Sequence, residues 1–192
     1  VNSSHIAELG VICTRSGLHF DVTKPDPNSI LITDIAYGLS HKCRFGGHTS
    51  RWYSVAQHSI QVCEYVQMTG TEDSIALAAL LHDASEAYLT DLPSPIKAIL
   101  PAYITLEKSV QTAINEHFGL TRRAQEHEII KRADIMQYEI ERRHLMPDVS
   151  WWSNPHEPEC QEPMPESYPD KDYNEFLAKY NSISHSRRVS DG

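Results

Sequence analysis

Long apolar runs are missing from this 192-residue chain, and the longest, around Ile75–Leu81, is far too short to span a bilayer. Basic charge is scarce as well: 17 Lys and Arg stand against 26 Asp and Glu, a formal net charge of -9. A protein that grips nucleic acid by counterion release needs a basic face, so that class is disfavoured. A local basic pocket for a small anion remains compatible with the balance. The four cysteines, Cys13, Cys43, Cys63 and Cys160, form no C-x-x-C pair and no tight zinc spacing. They read as free thiols of a reducing compartment. The opening "VNSSHIAELG" has no positive segment followed by an apolar one, so no signal peptide is expected and the cytoplasm is the default. There are no internal repeats. With 40% hydrophobic residues, the length suits one domain.

Histidine, by contrast, is plentiful, with 11 in the chain. His5, His127, His156 and His185 read as surface residues. His58 and His82 differ, because each lies inside a helical, partly apolar pattern.

The order of elements follows from periodicity and breakers. Residues 1–29 are polar and turn-rich, with "KPDPNS" a loop. "ILITD", 30–34, alternates well enough for a short strand, and a helix entry at Asp34 is the other reading. A short helix over "DIAYGLSHKC" ends near "FGGH". A longer helix starts at Ser54, where Ser54 and Gln57 make an S-x-x-Q capping box, and lines Val55, Ser59, Val62, Cys63 and Val66 on one face. Ser74–Leu89 reads as the most apolar helix, stopped before the prolines of "DLPSP". Residues 103–118 and 122–146 read as amphipathic helices, the second stopped by Pro147. Six of the eleven prolines then fall between residues 147 and 169, which suggests an extended loop over the surface. A last helix over "YNEFLAKYNSI" precedes a disordered tail. The expected fold is all-α, a compact helical bundle with few or no strands. Its parts are a loop-rich segment 1–29, a core 30–146 and a Pro-rich wrap with terminal helix and tail, 147–192, within one domain.

The stretch "ALLHDASEAYLTDLP" sets His82, Asp83, Glu86 and Asp91 beside strongly apolar helix. If the helix is continuous, His82 and Asp83 project about 100° apart and Glu86 shares their side. His58 on the preceding helix and Asp134 in "IKRADIM" also interrupt apolar faces. Buried imidazoles and carboxylates cost several kcal/mol unless paired or bound to metal. Three helices each turning such groups inward suggest one shared cation, and a mixed nitrogen and oxygen donor set suits a divalent transition metal. Each residue alone has a plainer reading. Asp134 can pair with Lys131 or Arg132, His58 can be a satisfied core histidine, and Glu86 can be an ordinary solvated acid.

"YSVAQHS", "LLHDASEAYLTDLPSPIK" and "KRADIM", in that order on successive helices, resemble the HD-domain phosphohydrolase superfamily. The continuation after His82-Asp83 resembles the branch that holds bacterial 5'-deoxynucleotidases and phage dATP triphosphohydrolases. The likeness covers roughly residues 30–145. It implies that His58, His82, Asp83 and Asp134 bind one divalent transition metal (Co, Mn, Zn or Fe), with Mg accompanying the substrate phosphates. It implies that Glu86 and Asp91 handle protons and the attacking water. It also places an Arg-aromatic pair, here Arg44-Phe45, against the sugar, where the ring would exclude a 2'-hydroxyl. Arg51 and Lys97 are candidate phosphate contacts.

The implied function is hydrolysis of a deoxynucleotide, such as dATP or a deoxynucleoside monophosphate. The implied protein is a homo-oligomer without nucleic-acid or membrane partners. Two other classes stay open: a nucleotide-binding or regulatory module without hydrolysis, and a nuclease or phosphodiesterase of the same fold. Intact metal residues with both Glu86 and Asp91 favour the enzyme.

Overall fold

The structure, a computed structural model, describes residues 9–147 and 164–190. It is all-α apart from one small hairpin, in which β1 (Val11–Cys13) pairs antiparallel with β2 (His19–Asp21), Ile12 opposite Phe20. Phe20 is the hairpin's anchor: it is fully buried and stacks on Tyr88.

The stretch at 30–34 takes the helical alternative. Helix α1 spans Ile32–Ser40, two residues ahead of the entry expected at Asp34, and no strand forms there. Asp34 sits in its first turn and accepts from the Ser16 amide (2.9 Å) and hydroxyl (2.7 Å), which fastens the hairpin loop to the helix. Glycines 46 and 47, both with positive φ, end the following short turn Arg44–Gly47.

Helix α2 (Val55–Met68) is the central rod. Ser54 caps it by accepting the Gln57 amide at 3.0 Å, half of the expected box, while the Ser54 amide donates to Ser167 instead. Its residues are buried on more than one face, including Val55, Ala56, His58, Ile60, Val62, Cys63 and Val66. That burial follows from its packing against α3 (Asp73–Leu80), α7 (Glu128–Leu145) and α8 (Pro169–Ser190).

The helix expected over 74–89 is not continuous. α3 stops at Leu80, and after a turn through His82-Asp83 a tight 3-10 turn runs Ala84–Ala87. The break has a definite cause. In a continuous helix Leu81 O would accept from Ser85 N. Here Gln111, on α5 (Pro101–His117), stands between them: its amide nitrogen donates to Leu81 O (2.9 Å) and its oxygen accepts from Ser85 N (3.0 Å). His82 Nδ1 meanwhile bonds Ala79 O (2.8 Å), taking the carbonyl that the Asp83 amide would have used.

A short helix α4 (Ser94–Lys97) follows Pro93, and α5 packs on the Ala84–Ala87 turn. The helix expected over 122–146 is split into α6 (Arg122–Gln125), capped by Thr121, and α7, capped by His127. The two caps explain the division, since each supplies a side-chain acceptor for a fresh helix start.

Helix α8 is longer than expected at both ends, continuing to Ser190 where a disordered tail was anticipated. Phe176 and Ile183 bury in the core, and Asp172 is fully buried, accepting from Ser54 and Ser167 hydroxyls at 2.6 Å each. The extended wrap expected after Pro147 falls mainly on 148–163, outside the described residues. Among the described residues no helix is long and apolar enough to cross a membrane.

Candidate metal centre and its cavity

His58 is buried one turn into α2, held there by the apolar packing around it. Its Nδ1 bonds Glu141 Oε1 at 2.7 Å, and its Nε2 stands 3.3 Å from His82 Nε2 and 3.2 Å from Asp134 Oδ1. Asp83 completes the group, with Oδ2 3.2 Å from His82 Nε2 and 3.7 Å from His58 Nε2. The break after α3 makes this possible. A continuous helix would splay His82 and Asp83, whereas the turn aims both at one point.

The arrangement calls for positive charge, which protons or a metal ion can supply. His58 Nδ1 faces a carboxylate and His82 Nδ1 faces a carbonyl, so both rings are set to carry hydrogen on Nδ1. The two Nε2 atoms then face two carboxylate oxygens, an arrangement satisfied either by protons on Nε2 or by one shared metal ion. Donor atoms about 3 Å apart match one ion with bonds of about 2.0–2.2 Å. The ligand atoms of His58, His82 and Asp134 all lie within 4.8 Å of one another. These residues fit a divalent ion.

The electrostatics show the same demand. Burial opposes a charge on either histidine. For His82 the Asp83 and Asp134 carboxylates win, and for His58 Glu141 and Asp134 win, so both pKa values are raised. Burial pushes Asp83 and Asp134 up, but the histidines outweigh it and hold both carboxyls well below their ordinary value.

The centre opens into a cavity of about 460 Å³ lined by Arg44, Phe45, Asp83, Glu86, Asp91, Lys97, Asp134, Ile135 and Tyr138, with the 92–95 loop at its edge. That volume is in the range of small-molecule sites. Most of the predicted residues therefore share one space. Arg51 does not: it is exposed, donates to the Met164 carbonyl at 3.3 Å, and is not among the lining residues.

Glu86 is buried, and its Oε2 has no hydrogen-bond partner among the described residues. Burial, then Asp83 and Asp91, raise its pKa well above the usual value. Lys97 Nζ lies 3.6 Å from Glu86 Oε1 and is anchored to Glu107 at 2.6 Å. Asp91 is also raised, chiefly by burial, although Arg44 opposes the shift. Lys42 Nζ donates to the carbonyls of Glu86 and Ala87, which pins the turn that carries Glu86.

Phe45 adopts φ 55° and ψ 31°, a left-handed conformation rare for a large side chain. Surrounding contacts hold it there: its ring stacks on Tyr138 with centroids 5.6 Å apart, and the Arg44 amide donates to Tyr53 O at 2.9 Å.

Sequence reasoning missed Glu141, Gln111, Lys42 and Tyr138. Glu141 and Tyr138 had a signal: they lie seven and four residues beyond Asp134 on α7, on or beside its inward face. Gln111 and Lys42 had none, because each acts on backbone that only the fold brings near.

No protein-family model matches the chain. The protein YfdR of Escherichia coli K12, described as uncharacterized, is 36% identical over 190 residues, spanning 95% of this chain and 100% of YfdR. An uncharacterized Rhodobacter capsulatus protein is 40% identical over 110 residues, 55% of this chain and 56% of its own length. The 5'-deoxynucleotidase PM0747 of Pasteurella multocida is 27% identical over 105 residues, 48% of this chain and 54% of that enzyme. The fold and site define an all-α protein with a partly buried histidine and aspartate cluster fit for a metal. The chain belongs to the YfdR family.

Proposed function

We propose that this protein is a metal-dependent phosphohydrolase of the HD-domain type acting on deoxynucleotides. The observation that carries the reading is the meeting of His58 and Asp134 with the His82-Asp83 turn at the floor of a cavity that also holds Glu86, Asp91, Arg44 and Lys97. Partial similarity to a 5'-deoxynucleotidase supports it. A purine deoxynucleotide, dATP or the monophosphate dAMP, is the leading substrate.

His58, His82, Asp83 and Asp134 would hold the ion. When bound, a divalent metal would acidify water and offset charge on phosphoryl oxygens. The protein's own groups do the rest. Lys97 and Arg44 flank the cavity as the cations for the phosphate. Glu86, with a raised pKa, holds a proton that it can pass to the leaving 5'-oxygen as water's oxygen bonds to phosphorus and the P–O5' bond breaks. The products are a nucleoside and phosphate from a monophosphate, or a nucleoside and triphosphate from attack at the α-phosphorus of dATP. Phe45 and Tyr138 form an aromatic wall, and in this reading the Phe45 ring would press on the sugar C2'.

The test is product analysis after incubation with dAMP, AMP, dATP, ATP and single-stranded DNA in Mn²⁺, Co²⁺ or Mg²⁺. Release of phosphate or triphosphate from the deoxynucleotides is expected. Turnover of none of them, or of the DNA alone, would overturn the reading.

A further inference from the structure

Glu141 is fully buried on α7 and touches both halves of the site. Its Oε1 faces His58 Nδ1 at 2.7 Å and accepts from Gln137 Nε2 at 3.2 Å, and Gln137 in turn donates to the Tyr53 hydroxyl at 3.2 Å. Its Oε2 accepts from Arg44 Nε and Nη2, both at 3.0 Å. Arg44 is itself buried, with Nη1 3.9 Å from Asp83 Oδ2 and the ring of Phe45 5.6 Å from its guanidinium carbon. One carboxylate therefore spans the helix that carries His58 and the strained turn that lines the cavity.

We propose that Glu141 is a positioning residue that orients a metal-binding imidazole with one oxygen and the cavity arginine with the other, so that metal affinity and the seating of Arg44-Phe45 depend on a single side chain. This rests on the metal-centre part of the functional reading and not on the identity of the substrate. The argument is one of hydrogen-bond polarity. Every group around Glu141 is a donor, so only a residue with two acceptor oxygens satisfies all of them. An acceptor at His58 Nδ1 keeps the hydrogen there and leaves Nε2 as a lone pair directed at the donor cluster.

Glutamine at position 141 preserves the shape but cannot satisfy both sides. Its single oxygen goes to the charged guanidinium, because hydrogen bonds to ions are the stronger kind. Its NH₂ then faces His58 Nδ1, which must become the acceptor. The ring hydrogen moves to Nε2, where it blocks ligation. Removing the competing cation reverses the choice: with Arg44 replaced by Met, the glutamine oxygen can turn to His58 and Gln137.

The experiment measures Mn²⁺ and Co²⁺ affinity by calorimetry, without substrate, for wild type, Glu141→Gln, Arg44→Met and the double variant, with circular dichroism as the fold control. Glu141→Gln should bind 10- to 100-fold more weakly, the usual cost of losing such a support. The double variant should bind more tightly than Glu141→Gln alone; relief of an orphaned buried arginine would give the same gain, so the position of the His58 hydrogen separates the two causes. Imidazole ¹⁵N shifts should place the His58 hydrogen on Nδ1 in wild type and on Nε2 in Glu141→Gln. Unchanged affinity in Glu141→Gln, or a double variant no better than it, overturns the proposal, as does a wild type that binds neither ion. A wild type that binds metal but hydrolyses no nucleotide overturns the functional reading and leaves this one standing.

Discussion

Gly38 lies so close to Ala87 that a side-chain carbon at position 38 would stand 2.8 Å from the Ala87 carbonyl oxygen and 2.9 Å from its Cβ. Helix α1 thus presses on the turn that carries Glu86, and Lys42 of the adjoining loop donates to the Ala87 carbonyl and to that of Glu86. Gly38→Ala should cost about 1–3 kcal/mol of stability through overpacking and shift that turn. Because the His58 and Asp134 helices are not touched, metal binding should survive while kcat falls. Calorimetry with Mn²⁺ beside a steady-state assay checks this, and equal loss of both would mean that the turn and the metal centre move together.

His82→Ala and Asp83→Ala should each abolish metal binding and hydrolysis with helical content kept, since an incomplete donor set does not hold the ion. Added Mn²⁺ should raise the melting temperature of wild type but of neither variant. Near-normal turnover in either variant would remove that residue from the centre.

Glu86→Gln keeps shape and removes proton transfer, so metal content should persist while kcat drops by about 10²–10⁴. Loss of metal would instead make Glu86 a ligand.

The same residue predicts a pH dependence of stability. Glu86 has a folded pKa raised above its unfolded value, so between the two the folded chain binds more protons. Its contribution to stability is therefore full below the unfolded pKa, near 4.3, and is lost as pH rises through the folded pKa. In chelator-treated protein, Glu86→Gln should melt above wild type at pH 8, and the difference should shrink towards pH 4. Thermal scans at both values test the sign.

On the proposed reading, deoxynucleotides should be turned over about 10²-fold faster than ribonucleotides, because the Phe45 ring against C2' would exclude a hydroxyl and leave it unsatisfied. Phe45→Ala should narrow that ratio more than it lowers the rate on dAMP. Measurement of kcat/KM for dAMP and AMP, and for dATP and ATP, decides it, and equal wild-type values for both sugars in both pairs would refute the role of Phe45.

The sequence by itself determined the helical class, the start of α2 at the Ser54 cap, and the candidates His58, His82, Asp83 and Asp134. Those signals are local: apolar spacing, a capping side chain, and charge set where charge is costly. Tertiary structure decided how His82 and Asp83 point. Periodicity reads the apolar run from Ser74 as one helix, but a side chain from α5 takes the Leu81 and Ser85 backbone partners and turns the chain. Only the fold could show that Arg51 lies away from the cavity while Glu141, 97 residues from Arg44, holds it there. Backbone hydrogen-bond competition and the meeting of distant helices depend on packing in three dimensions, which no spacing along the chain encodes.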